Sequence, residues 1–199
     1  KFISREFTPK DVRRWDKEDL ISRDVSLKFG ELGICGLCVP EEYGGLGRNV
    51  IAMTVVLEEL ARFSNALPSI YNMSAGYGGL NVSESGSEEQ KMRFLPGLLK
   101  GEILFAYGLS EPDVGADLAD VKTRAERKGD RVIVNGAKRW TSGAVLSDYI
   151  YSLVRTGPVE AKRKNLSFVI VPTKAKGVTI TRIDVMGAHG IETDDVKFD

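Results

Sequence analysis

Apolar positions along the chain change their spacing near Ile103. Before that point they recur at helical intervals; after it they alternate with polar residues, as they do when one face of a strand is buried. Thr8, Pro9, Lys10 and Asp11 stand in helix-start order: a hydroxyl cap, a proline where no donor is needed, and an acid whose charge suits the positive end. A helical segment is expected from there towards Leu32. Asn49 caps a second run, residues 50–63, which is apolar on nearly every side except Glu58, Glu59 and Arg62, the pattern of a helix buried among helices. Ser87 and Gln90 form a capping box in which each side chain satisfies the other's free amide. Pro96 is expected to end that helix or open the next turn. Up to about Glu102 the sequence reads as a helical bundle.

Beyond Ile103 the alternating pattern predicts strands over residues 122–126, 131–135, 149–155, 166–171 and 178–183. Lys128, Gly129, Asp130 and Arg131 make a hairpin turn between the first two. Gly157-Pro158 and the charged stretch after it read as a longer loop, with Lys162, Arg163 and Lys164 as its solvated tip. The expected fold is therefore α+β: a helical N-terminal bundle over residues 1–103, followed by an antiparallel β-barrel domain over residues 104–199. Lys1 is not an initiator methionine, and residues 196–199 still alternate as a strand does, so the sequence reads as part of a longer chain.

The charge balance removes several functions. With 28 basic and 28 acidic residues the chain has no net charge, and the helical part (13 basic, 15 acidic) and the β part (15 basic, 13 acidic) are each close to balance, so the phosphate-neutralising footprint of a nucleic-acid binder is missing. No apolar stretch is long enough to span a bilayer, and residues 1–15 mix charges with apolar groups unlike a secretion signal. Cysteine usage suits a reducing compartment, cytoplasm or mitochondrial matrix. Cys35 and Cys38 have redox spacing, yet they sit among Ile34, Leu37 and Val39 with no second pair to complete a metal site, and are read as buried packing. His189 is the sole histidine, so no metal site or triad with more than one histidine exists. It is read as a structural or rim residue in the Gly-rich turn Met186-Gly187-Ala188-His189-Gly190. The glycines of Gly76-Tyr77-Gly78-Gly79 follow no strand and match neither nucleotide-binding glycine pattern, which argues against a nicotinamide Rossmann domain.

Two segments carry more chemistry. From Phe105 to Asp117 a β-like run enters a Pro/Gly loop rich in backbone donors, suited to a phosphate or a flavin edge, or simply to a turn after a strand. Lys138 to Gly143 places Trp140 beside the hydroxyls of Thr141 and Ser142; the indole either packs against a planar ring or joins the core, and the residues alone leave both open.

Together these segments resemble the acyl-CoA dehydrogenase family of flavoproteins over nearly the whole length. Val39-Pro40-Glu41-Glu42-Tyr43-Gly44-Gly45-Leu46-Gly47 is similar to the family's loop between early helices, and Gly86 to Lys91, Leu95-Pro96 and Gly101-Glu102 to its later helix and exit. Ala106 to Asp117 resembles the first flavin segment, and Trp140-Thr141-Ser142 the second. The order of the motifs matches the point where the periodicity changes.

The resemblance implies FAD lying against the β domain, with a further C-terminal helical domain outside this sequence. Tyr107, Leu109 and Ser110 would border the isoalloxazine edge, Gly115 and Ala116 would approach the pyrophosphate, with Ala116 also near the substrate, and Trp140, Thr141 and Ser142 would cover the ring. The implied reaction is α,β-dehydrogenation of an acyl-CoA thioester. Its carboxylate base is expected beyond residue 199, so no catalytic residue is assigned here. Glu111, though it lies in the flavin loop, is read as structural. An oxidase or enoyl-CoA reductase of the same fold, or an acyl-CoA or protein-binding scaffold without flavin, is the alternative. An electron-transfer flavoprotein as electron acceptor and a homotetrameric assembly are implied in the same way. The sequence departs from the family pattern at Ala116, where serine is usual and one hydrogen bond of about 0.5–1.5 kcal/mol is missing or replaced. Ser110 and Ser142 stand where threonine is commoner, and His189 and Ile191 where an arginine and a small hydroxyl residue are usual.

Overall fold

The computed structural model describes the backbone of all 199 residues and every side chain except those of Val159 and Lys162. Two units divide the chain, residues 1–105 with 185–192, and residues 106–184 with 193–199.

The first unit is helical. α1 (Phe2–Glu6) leads into α2 (Pro9–Glu18), α3 (Asp24–Glu31), α4 (Val50–Ala61), α5 (Ala66–Ser74), α6 (Asn81–Ser85) and α7 (Glu88–Leu99). Caps act where the sequence places them: the Thr8 hydroxyl accepts from the Asp11 amide, the Asn49 carbonyl oxygen from the Ala52 amide at 2.9 Å, and Ser87 and Gln90 bond reciprocally. The helix expected to run from Thr8 towards Leu32 is interrupted instead. Asp19 adopts a left-handed φ of 53° and ends α2. Its carboxylate accepts from the Gly190 amide at 2.8 Å, while the Ile21 amide donates to the Gly190 carbonyl at 2.8 Å. That pairing is with a segment distant in sequence, which local periodicity does not encode.

Edge-to-face rings line this core, from Phe7 on Trp15 at 5.6 Å to Phe29 on Tyr71 at 5.8 Å. Two further expectations are corrected. Pro96 lies inside α7 rather than at its end; beside it Met92, whose carbonyl loses its helical donor, is exposed. α4 is not enclosed, since only Met53 and Leu60 are buried in it, and Ile51 stands 80% exposed. Gly76, Gly78 and Gly79 fall in a π-helical stretch, Ala75–Leu80, where a Cβ on Gly78 would meet Leu98 at 2.2 Å. Cys35 and Cys38 are buried free thiols, and burial pushes Cys35 up to about 11.

The second unit is built on seven strands: β1 (Phe105–Gly108), β2 (Arg124–Lys128), β3 (Arg131–Ser142), β4 (Tyr149–Arg155), β5 (Leu166–Pro172), β6 (Val178–Ile183) and β7 (Thr193–Phe198). They pair in the order β1-β4-β2-β3-β7-β6, with β5 on β4. Lys128 opposes Arg131 across the predicted hairpin, and Gly129 supplies its positive φ of 67°. The expected antiparallel barrel holds only roughly. β2 meets β4 in parallel through Arg124 and Arg155, so the sheet is mixed, and it curls without the two ends of its strand order pairing. Ala106, Ala144, Ile150, Val171, Val196 and Phe198 fill its interior. Arg163 and Lys164 are exposed as expected of a loop tip, while the Lys162 side chain lies outside the described residues.

One interior pair is charged. Lys138 sits in phase with the inward-facing Val134, and its ammonium has no exposure. Its Nζ donates to Glu111 Oε1 at 2.9 Å and to the Leu109 carbonyl at 3.0 Å. The Glu111 carboxylate also accepts from the Lys122 amide at 2.7 Å and the Thr123 amide at 2.9 Å. Burial pushes the Glu111 pKa up, but its hydrogen bonds from Thr123, Lys122 and Lys138 outweigh that and hold it below the usual 4.5. Burial draws Lys138 below 10.5, opposed by Glu111. The pair is ionised, because protonating Glu111 would sacrifice bonds from fixed amide donors.

Gly30 passes so close to the Lys100 carbonyl that an added Cβ would stand 2.0 Å from its oxygen. Gly30→Ala is expected to cost about 3 kcal/mol in urea unfolding, because backbone rather than a mobile side chain must give way. Glu111 titrates below its unfolded value, so its stabilisation is complete above about pH 4.5 and is lost as pH falls through the lower folded pKa. Between about pH 5 and pH 3 the wild type should lose more of its urea midpoint than Glu111→Gln does; equal losses would exclude this linkage.

Candidate functional site

The residues singled out from sequence fall on three elements of the second unit: β1, the loop that follows it, and the last residues of β3. Tyr107 ends up half-buried in β1 with its ring stacked on Tyr151 at 5.8 Å and on Phe168 at 6.0 Å; Tyr151 and Phe168 stack on each other at 4.4 Å. Burial raises the Tyr151 phenol. Leu109 packs against the small cluster of Val114, Val121 and Leu153. Ser110 is half-buried, and its carbonyl accepts from the Arg139 amide at 2.8 Å. Through that bond and the one from Lys138 to the Leu109 carbonyl, the loop after β1 is fastened to β3 immediately before Trp140. The structure thus brings the two segments together, although β2 and β4 separate β1 from β3 in the strand order.

Beyond Ser110 the loop turns at Glu111 and Val114, which exchange backbone bonds of 2.8 and 3.2 Å. Gly115, Ala116 and Asp117 are exposed, and a Cβ on Gly115 would meet nothing within 4 Å. The Asp117 carboxylate accepts from the Ala119 amide at 3.1 Å and starts a short 3-10 turn. Buried Arg155 donates to the Val121 carbonyl at 3.0 Å and to the Ala119 carbonyl at 2.5 Å.

The second segment contains a register shift. β3 pairs with β7 on either side of Arg139 and Trp140, and the slip between Lys138 and Thr141 turns the chain outward. Trp140 takes a φ of 60°, a left-handed conformation that a bulky side chain adopts at a cost of about 1–3 kcal/mol. Its indole is 54% exposed, which removes the core reading that the sequence left open. The Arg139 guanidinium lies 4.8 Å from the ring centroid. Thr141 is buried and its Oγ1 has no hydrogen-bond partner among the described residues, whereas Ser142 is exposed with its Oγ 3.4 Å from Thr193 Oγ1. A strained, outward-facing indole next to an exposed hydroxyl, beside a loop of exposed backbone, is a surface suited to a flat polar-edged ring and an attached phosphate.

Apart from Lys138, none of these residues lines the cleft of about 600 Å³ bounded by Pro112, Asn135, Thr179, Thr181 and Phe198, or the smaller one of about 280 Å³ beside Trp15 and His189. Exposed chemistry, rather than cavity size, locates the site. His189 is partly exposed; its Nε2 lies 3.1 Å from the Val185 carbonyl oxygen and its Nδ1 3.9 Å from Asp16. Among the described residues no group of three or more His, Cys, Asp or Glu side chains is placed to hold a metal ion, and no helix is long and apolar enough to cross a membrane. Sequence reading passed over Lys138 and Arg155. The available signal was a lysine in phase with the apolar residues of its own strand.

Residues 1–102 match the family model for the N-terminal domain of acyl-CoA dehydrogenase, and residues 106–199 that for its middle domain. Acyl-CoA dehydrogenase FadE29 of Mycobacterium tuberculosis is 41% identical over 87% of the chain and 44% of its own length. Glutaryl-CoA dehydrogenase of Desulfococcus multivorans is 32% identical over 100% of the chain and 51% of its own length. A crystal structure of glutaryl-CoA dehydrogenase from Mycobacterium smegmatis in complex with FADH2 superposes with a TM-score of 0.88 at 26% identity, covering 100% of this chain and 50% of that one. The chain therefore spans about half the length of the relatives it matches. Helices first and a curled sheet second follow the order of these two domain models: the chain belongs to the acyl-CoA dehydrogenase family.

Proposed function

We propose that this chain is the helical N-terminal and β middle portion, residues 1–103 and 104–199, of an FAD-dependent acyl-CoA dehydrogenase. The observation that carries the reading is the fastening of the Ser110 loop to the Arg139–Ser142 bulge through the Arg139 amide. It unites the segments that the family resemblance assigns to one flavin. The FADH2 complex of the mycobacterial glutaryl-CoA dehydrogenase, which shares the fold, supports the same cofactor.

In this reading Tyr107, Leu109 and Ser110 would border the ring, Trp140, Thr141 and Ser142 would cover it, and Gly115 and Ala116 would meet the pyrophosphate. Bound flavin supplies the hydride acceptor for α,β-dehydrogenation of an acyl-CoA thioester. The hydroxyls of Ser110 and Ser142 donate towards the polar edge that becomes electron-rich, so fixed donors are already in place when charge develops there. Trp140 excludes water from the ring face. Gly115 lets a phosphate approach the backbone closely, because no side chain intervenes. Ala116 leaves that contact, and any with the CoA chain, to main-chain donors. Removal of the α-proton falls to a carboxylate from a C-terminal helical domain beyond residue 199. An electron-transfer flavoprotein takes the electrons, the enzyme works as a homotetramer, and its compartment is the cytoplasm or the mitochondrial matrix.

The full-length protein should purify yellow and bleach anaerobically with one member of an acyl-CoA panel. Peroxide formed rapidly in air would identify an oxidase, oxidation of reduced enzyme by an enoyl-CoA a reductase, and a colourless protein with no extractable flavin a binding scaffold. Ser110→Ala combined with Ser142→Ala should weaken flavin retention or slow its reduction by about tenfold; unchanged retention and reduction rate would remove both assignments. Trp140→Gly should leave the flavin-free protein as stable as wild type or about 1 kcal/mol more stable, by relieving the positive φ, while flavin retention falls. Retention at the wild-type level would take Trp140 out of the site.

A further inference from the structure

The loop between β1 and β2 is held at both ends by buried groups. Lys138 and the Arg139 amide hold the carbonyls of Leu109 and Ser110, Glu111 grips the amides of Lys122 and Thr123, and Arg155 holds the carbonyls of Ala119 and Val121. Gly115, Ala116 and Asp117, in between, are exposed.

The central tie is an ion pair of unusual placement. Lys138 has no side-chain exposure and Glu111 5%. Removing two charges from water costs more than their attraction returns, unless further hydrogen bonds satisfy both, and apolar side chains of the same shape are commonly as stabilising or more so. The apolar interior of this unit is already continuous through Ala106, Ile150, Val171, Val196 and Phe198, so the pair is a poor means of adding stability. Its other bonds have a common destination. The second partner of Lys138 Nζ is the Leu109 carbonyl, and Glu111 takes the Lys122 and Thr123 amides together with the Thr123 side chain, so these bonds reach the two ends of one loop, mostly through its backbone. An apolar pair fills the same volume but cannot grip backbone.

We propose that Glu111 and Lys138 are positioning residues for the flavin: the pair closes the loop over residues 109–123 in the one shape that exposes the Gly115–Asp117 backbone and keeps Ser110 against the Trp140 bulge. This rests on the preceding reading that the loop holds flavin. Neither residue touches the cofactor. They act by ordering its binding segment in advance, so that binding does not have to supply the ordering free energy.

The test uses the full-length protein with Glu111→Gln, Lys138→Met and the double apolar variant Glu111→Leu/Lys138→Met. Flavin dissociation is followed by fluorescence, and backbone amide exchange is measured in the flavin-free proteins. Each single variant should raise the flavin Kd by about tenfold or more and speed exchange over residues 109–123, leaving β5 and β7 protected as in wild type. The double variant should recover the wild-type urea midpoint without recovering flavin affinity, which a merely structural pair would not do. A single-variant Kd within about twofold of wild type, a double variant that binds flavin normally, or exchange that rises uniformly through the sheet would overturn the proposal. Wild-type protein without flavin defeats the preceding reading instead; the exchange measurement then still decides whether the pair orders the loop.

Discussion

An ammonium group shut away from water has to be fully bonded, and in this protein that requirement organises the β unit around Lys138. Its partners are Glu111 and the Leu109 carbonyl, so the strand that carries the lysine is bound to the loop after β1. Immediately afterwards β3 slips register, the Arg139 amide takes the Ser110 carbonyl, and Trp140 is turned outward. Each feature limits the next. A lysine facing inward brings the loop in; the loop occupies the Arg139 amide; the bulge that frees that amide presents an indole and a hydroxyl to solvent.

The site consequently sits on a conflict that folding alone would avoid. A tryptophan at positive φ and a buried Thr141 hydroxyl with no partner among the described residues both oppose stability, and they stand next to each other. Such outliers persist only where the surroundings over-determine them. The antiparallel pairings of β3 with β2 and β7 on either side of the bulge supply that rigidity. A flat cofactor covering the indole is the gain that balances the strain in the proposed enzyme.

Departures from the family pattern fall unevenly. Ser110 and Ser142 keep the hydroxyl of the commoner threonine, so the donors of the proposed flavin edge remain. Ala116 does not, but it lies on exposed backbone whose amides are free of side-chain crowding at Gly115. His189 belongs to the helical unit, in a segment held by Asp19 and Ile21 through Gly190, and its own 3.9 Å approach to Asp16 is a loose one. In the proposed enzyme, therefore, the departures leave the hydroxyl donors assigned to the flavin edge in place.

Local grammar was readable from the chain. The caps at Thr8, Asn49 and Ser87, the Lys128–Arg131 hairpin and the alternation of the strands are short-range effects, in which a side chain meets backbone a few residues away or a face repeats every second position. The two segments of the proposed flavin site stand out for the same reason, as contiguous runs. What the sequence left undecided depends on partners far along the chain. Asp19 breaks a helix because Gly190 is there to donate its amide to the carboxylate, Pro96 stays within α7, the sheet acquires a parallel contact at Arg155, and Trp140 leaves the core because Lys138 enters it. Periodicity counts neighbours within a few residues, whereas a buried charge is satisfied across 27. Only the folded chain decides which distant groups meet.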